Sequence, residues 1–166
     1  METVYIDPMK HTHIDRIEEE EWRSPRGTYQ LFRKSISRAL GGIKDVGPWG
    51  GGHPFDVELA RLPPGKSNFP LHHHSAQSEL YLIVAGGGIL HRGDTAHAIK
   101  AGDVFYASQG ESHRIENDRT EDLIYYIIAD NPPSDICTYP DSGKVFLKPQ
   151  RITLALEEVD YFDPAD

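Results

Sequence analysis

The sequence predicts an all-β fold, a barrel or jelly roll with an N-terminal arm. Two observations predict it. From Phe55 onward, short apolar or alternating runs follow one another, separated by turns at Pro63-Pro64-Gly65, Gly86-Gly87-Gly88, Gly93-Asp94 and Ala101-Gly102-Asp103. Strands at that spacing point to an antiparallel barrel rather than to strand–helix–strand units. The second observation is length. At 166 residues the chain fits one domain and is long enough to bury a core without staples. No repeat or low-complexity segment divides it.

Residues 1–48 read as an arm that packs on the barrel or on a partner subunit. Its first half is polar, with Ile14, Ile17 and Trp22 around the acidic run Glu18–Glu21, and reads as a solvated stretch with a short helix or strand. The pair His11-Thr12-His13 lacks an acidic partner at a matching spacing and reads as a surface feature. After Pro25-Arg26-Gly27, the residues Leu31, Phe32, Ile36 and Leu40 suit an edge strand or a short helix equally. Gly47–Gly52 is glycine-rich but has neither the lysine nor the strand–helix context of a phosphate loop. It reads as a flexible loop, with Trp49 near a pocket mouth and His53 as a loop residue beside it.

Residues 49–150 are expected to form the barrel. Phe55, Val57, Leu59 and Arg61 share one strand face, and Asp56, Glu58, Ala60 and Leu62 the other, the alternation of a half-buried strand. In the strand at 79–84, Glu79, Tyr81 and Ile83 share a face, which makes Tyr81 a candidate pocket wall. Leu123–Ala129 is apolar on both faces and needs cover on both. One face would line the barrel. The other would need the arm or a second subunit, so a homodimer is expected. Asn131-Pro132-Pro133 stops this strand. Residues 134–150 read as a loop with one short strand at Val145–Leu147, and 151–166 as a tail whose Leu154-Ala155-Leu156 packs across the sheet.

One stretch concentrates the chemistry. His72 and His74 are two apart, so on a strand both point inward while His73 points away. Glu79 follows a short polar turn and can enter the same pocket from the neighbouring strand. His113 follows the turn Ser108-Gln109-Gly110 and can supply a third imidazole. Three neutral imidazoles and one carboxylate suit Fe(II), Mn(II), Co(II), Ni(II) or Zn(II), with one divalent ion per chain. Four protein ligands on an octahedral ion leave positions open for water or substrate, which distinguishes a catalytic site from a closed structural one. His91 and His97 are not needed for this set, and Asn117 and Ser108 read as turn and packing residues.

These residues resemble the two motifs of the cupin superfamily. The first runs from Gly65 across six residues to His72-His73-His74, then four to Glu79 and six to Gly86. The second runs from Gly102 across five residues to Ser108-Gln109-Gly110, then two to His113 and three to Asn117. Two departures stand out: the interval before His72 is slightly longer than usual, and Ser108 replaces the motif's proline. Tyr139–Lys144 and Val159–Asp163 resemble small single-domain metal-binding cupins of the conserved-barrel group. The resemblance implies a double-stranded β-helix, a cupin-like jelly-roll barrel, with metal on His72, His74, Glu79 and His113. It also implies an enzyme on a small oxygen-rich molecule. Sugar-phosphate isomerases, dioxygenases and oxalate decarboxylases all share the barrel, which does not choose among them.

The residues leave the reaction open. An isomerase needs a proton shuttle, for which Glu79, Tyr81 and His53 are the candidates. A phosphorylated sugar needs basic anchors; Lys66, Arg61, Arg92 and Arg114 are available, but their strand parity is mixed. A dioxygenase or decarboxylase needs a dry pocket, which the tyrosines and phenylalanines permit. A binding module without turnover and a purely structural barrel are the non-enzymatic readings. Composition narrows the partners. A net charge of −9 argues against nucleic acid and against anionic membrane surfaces. The single cysteine, Cys137, excludes an intrachain disulfide and a cysteine metal cage, and reads as a packing residue. No basic N-terminus leads into an apolar stretch, and Leu80–Ala85 is too short to span a bilayer. A cytoplasmic location is expected.

Overall fold

The computed structural model describes residues 10–162; residues 1–9 of the arm and 163–166 of the tail, Asp163 among them, lie outside the described residues. The chain is an antiparallel β-barrel of the double-stranded β-helix type. The arm contributes a 3-10 turn at Ile14–Arg16 and the strands β1 (Glu20–Arg23) and β2 (Gln30–Ser35), and the one-turn helix α1 (Ile36–Ala39) follows. The sequence 31–40 therefore resolves into both of its options, a strand and then a helical turn. The barrel proper runs through β3 (Phe55–Leu62), β4 (His73–His74), β5 (Glu79–Ala85), β6 (Gly87–Arg92) and β7 (Thr95–Lys100). It continues through β8 (Val104–Ala107), β9 (His113–Glu116) and β10 (Leu123–Asp130). The chain ends with β11 (Asp135–Tyr139), β12 (Lys144–Lys148) and β13 (Ile152–Ala155).

One sheet has the order β1-β2-β3-β10-β5-β8, so β1 and β2 extend the barrel sheet at β3. The opposing wall has two pieces, β13-β12-β11-β4 and β7-β6-β9. They are joined where His72 bridges His113, each backbone N–H donating to the other's carbonyl (3.2 and 2.8 Å). Two of the expected metal ligands thus sit on adjacent strands at the seam. The core lies between the walls. Leu31, Leu62, Tyr81, Ile83, Ile115, Leu123 and Tyr125 are each at most 1% exposed. Burial of this apolar surface is the main term holding the walls together.

Two elements differ from expectation. Residues 134–150 hold a full hairpin, β11–β12, where one strand was expected. In β11 the apolar Ile136 faces outward and Asp135 inward, so hydrophobic periodicity gives no signal. The tail's β13 pairs along β12, and Leu154 and Leu156 remain 46% and 62% exposed rather than covering the sheet. Among the described residues, no helix is long and apolar enough to cross a membrane.

Candidate metal centre

The four expected ligands converge. His72, His74, Glu79 and His113 are all buried, at 9% exposure or less. The ligating atoms of His72, Glu79 and His113 lie within 4.8 Å of one another. His113 Nε2 lies 2.9 Å and His74 Nε2 3.7 Å from Glu79 Oε2. His73 turns away, its Nδ1 3.2 Å from Ser112 Oγ.

The far nitrogen of each ring explains the orientation. Nδ1 of His72 meets the Pro70 carbonyl at 2.9 Å, Nδ1 of His74 meets Asp135 Oδ2 at 2.6 Å, and Nδ1 of His113 meets the Glu111 carbonyl at 3.0 Å. All three partners only accept. A neutral ring therefore carries its proton on Nδ1 and leaves the Nε2 lone pair facing Glu79. Partners that fix the tautomer and raise ligand basicity are what metal-binding imidazoles use. Asp135 is itself held by the backbone N–H groups of Ala76 (2.9 Å) and Gln77 (3.1 Å). Tyr81 donates to Glu79 Oε2 at 2.8 Å, and its ring stacks on Phe105 with centroids 4.5 Å apart.

The electrostatics differ from ring to ring: His72 matches this arrangement, while His113, with Nε2 2.9 Å from Glu79 Oε2, is drawn toward its protonated form. Burial, aided by the charge of neighbouring His113, pushes His72 down to about 3, so the ring is neutral and available as a donor. Burial alone would raise Glu79, but the hydrogen bond to His113 and the three imidazole charges hold it well below the usual carboxylate range. His113 moves the other way: burial opposes its charge, and the bond to Glu79 outweighs that and raises it. Asp135 is lowered in spite of burial by its bond to His74. Burial raises Tyr81, which remains a phenol and a donor.

Above these residues opens a cavity of about 280 Å³. Its floor includes His72, His74, Glu79 and Cys137, with Tyr139, Phe69 and Ile127 on the sides. Cys137 was read as a packing residue, and it is buried, but its sulfur lies within 4.8 Å of ligand nitrogens of both His72 and His74. Burial pushes this thiol up to about 12, so it is protonated at neutral pH.

Other expected participants lie elsewhere. His53 does not line the cavity; its carbonyl accepts from Asn131 Nδ2 (3.1 Å) and its ring packs by Gly42. Trp49 binds the Asn131 carbonyl (3.1 Å), and Trp22 of β1 takes the place at the cavity that Trp49 was expected to hold. Tyr81 stands behind Glu79 rather than in the cavity wall. His91 pairs with Glu116 (2.8 Å). Asn117 is a packing residue as expected, fully buried and donating to the carbonyls of Leu62 and Glu121 (both 2.8 Å). The basic anchors are also different ones. Arg61 pairs with Glu19 and Asp122, Arg92 with Glu111, and Lys66 donates to the Gly27 carbonyl. The cations that do reach the cavity are Arg33, Lys44, Lys148 and Arg151. No local motif marks these four; their partners lie far away in sequence.

Residues 58–129 match the family model described as a cupin domain. The chain carries a cupin domain. Over 68 residues it is 43% identical to an oxalate-binding protein of Thermotoga maritima, a match covering 41% of this chain and 55% of that protein. The solved sugar phosphate isomerase of Silicibacter pomeroyi superposes with a TM-score of 0.72 at 19% identity, over 90% of this chain and 93% of that one. A predicted oxalate decarboxylase from Thermotoga maritima superposes with a TM-score of 0.60 at 27% identity, over 74% of this cupin and all of that chain (100%). The histidine cluster of this cupin can hold a metal ion.

Proposed function

We propose that this cupin is a metal-dependent enzyme acting on a small oxygen-rich molecule such as a sugar phosphate, in the manner of an isomerase. The observation that carries the reading is the convergence of the His72, His74 and His113 imidazoles on Glu79, with His72, His74 and Glu79 lining the cavity. His72, His74, Glu79 and His113 would hold one divalent transition ion, of iron, manganese, zinc, nickel or cobalt. When bound, the ion supplies Lewis acidity toward a substrate oxygen.

The chain's own groups do the rest. Asp135 and the Pro70 and Glu111 carbonyls hold the rings in one tautomer. Tyr139 lines the cavity with a phenol that burial keeps protonated, ready to donate to a substrate oxygen. Tyr81 orients the Glu79 carboxylate from behind. Phe69, Ile127 and Phe146 exclude water around the reacting atoms.

A second reading, binding of a small acid without turnover, draws on the name of the 43% identical relative. Elemental analysis of protein purified without chelator or added metal, followed by a metabolite screen, separates the two. Turnover of a sugar phosphate by the metal-loaded protein supports the isomerase. Stoichiometric binding with no product, across sugar phosphates and small dicarboxylates, supports the binding module. Failure to take up any divalent ion overturns both. We further propose a homodimer formed by the outer face of β5 and β8, where Leu82, Val84, Val104 and Tyr106 are 39–56% exposed.

A further inference from the structure

We propose that the upper wall of the cavity recognises a small hydroxylated dianion, with Arg33 and Lys44 holding its charged group and Asp56 accepting from its hydroxyl. This rests on the metal-site reading above, and it assigns the substrate's recognition to residues outside the matched cupin segment.

Arg33 is 9% exposed and lines the cavity. Its Nη1 donates to Glu58 Oε2 at 3.1 Å, and its guanidinium lies 4.2 Å from the Trp22 ring centroid, which fixes its plane. Its Nε is buried with no hydrogen-bond partner. Lys44 reaches Glu58 Oε1 at 2.9 Å and lies 4.0 Å from Asp56 Oδ2, leaving ammonium donors over. Asp56 Oδ2 accepts from the Asp45 backbone N–H at 2.9 Å, while Oδ1 is buried without a partner. One wall of the cavity therefore carries two side chains, Arg33 and Asp56, each with a buried polar atom that lacks a partner. Buried groups of this kind are costly unless something completes them. A ligand that both accepts and donates would do so.

Charge sets the ligand's valence. Four cations, Arg33, Lys44, Lys148 and Arg151, face three carboxylates, Asp45, Asp56 and Glu58. Lys148 and Arg151 are both engaged by Asp45, which leaves Arg33 and Lys44 against Glu58 and Asp56 as the inner group. The wall as a whole has one positive charge in excess, which sits with Lys148 and Arg151 against Asp45, while Arg33 and Lys44 are balanced by Glu58 and Asp56 and act on the ligand as hydrogen-bond donors. A divalent ion on Glu79 leaves a second at the floor, and a dianion neutralises both. Size sets the rest: about 280 Å³ lies just below the range of pockets for drug-sized ligands and suits a small metabolite. A hydroxydicarboxylate and a sugar monophosphate share this chemistry.

The test uses the full chain loaded with Mn²⁺, its metal content measured first, and titrated calorimetrically with malate, ribose 5-phosphate, succinate and ribose. We expect malate or ribose 5-phosphate to bind, and whichever does identifies the source of the dianion. Succinate, which lacks the hydroxyl, should bind at least roughly tenfold more weakly than malate, and neutral ribose should not bind. Lys44→Gln should weaken the bound dianion by roughly tenfold or more with metal content unchanged. Arg33→Lys keeps the charge opposite Glu58, so the fold is retained, and should give a similar loss because the planar fork is gone. The proposal fails if the metal-loaded protein binds neither dianion, or if both variants leave the affinity within about twofold. Failure to take up metal is a separate outcome that overturns the metal-centre reading. The same variants then judge the wall in metal-free titrations.

Discussion

At the scale of single residues, the centre depends on groups that touch no ligand directly. Asp135 holds Nδ1 of His74 at 2.6 Å and is anchored by two backbone N–H groups. Replacing it by Asn keeps the shape but can present an amide N–H to the ring and invert its tautomer. We expect Asp135→Asn to weaken divalent-metal binding by roughly 10–100-fold, as loss of such partners does elsewhere. Competition against a metal-sensitive dye reads this, and unchanged affinity would remove the positioning role. The set His72, His74, Glu79 and His113 was legible because strand parity pairs the first two and the resemblance to the two cupin motifs joins Glu79 and His113 to them. Asp135, Arg33 and Lys44 were not. Arg33 meets Glu58 across 25 positions of chain, and His74 meets Asp135 across 61, and no local pattern encodes such a pairing.

At the scale of elements, strand parity was readable wherever the buried side is apolar. Glu79, Tyr81 and Ile83 of β5 face inward, as do Leu123, Tyr125 and Ile127 of β10. Where the inner face is polar, parity gave the alternation without its orientation. In β3 the buried side is Asp56, Glu58, Ala60 and Leu62, while Val57 and Leu59 lie half-buried outside. β11 went unseen for the same reason, because an inward aspartate and an outward isoleucine invert the hydrophobic pattern.

Turn glycines were legible, and one carries a sharp requirement. Gly86 has φ 75°, and a Cβ there would lie 2.3 Å from the Asp122 carbonyl oxygen. Gly65 has φ 70° with open space around it. Gly65→Ala should cost about 1–2 kcal/mol from the left-handed backbone, and Gly86→Ala distinctly more. Urea unfolding of the two variants checks this, and equal losses would show that the close approach to Asp122 is not felt. The arm is fastened to β3 electrostatically. Arg61 holds the Glu19 carboxylate, mainly through a hydrogen bond, below its ordinary value of 4.5. A lowered folded-state value gives stability that is present above about pH 4.5 and is lost as pH falls through the folded value. Unfolding midpoints of the wild type and Glu19→Gln should therefore differ at pH 6 and converge near pH 3. A constant difference would exclude the ion pair as the cause.

At the scale of the whole molecule, the six-stranded sheet has one face in the core and one face outside. The outer face is apolar toward its β8 edge, where Val104 and Tyr106 are each 56% exposed. Light scattering at micromolar concentration should report a dimer, and Tyr106→Glu should shift it to monomer without changing metal content. A monomeric wild type would sink the proposed interface. The cavity, finally, is assembled from separate stretches of chain. The four candidate ligands, His72, His74, Glu79 and His113, lie within the matched cupin segment 58–129, whereas Trp22, Arg33, Lys44, Asp56, Lys148 and Arg151 of the cavity lie outside it. Most of the wall therefore comes from outside the segment that supplies the histidines, and the two meet at Glu58, which pairs with Arg33 and Lys44. A chimera that exchanged 20–46 and 144–153 on a fixed barrel would keep the four candidate ligands and change the side chains that face whatever enters the cavity.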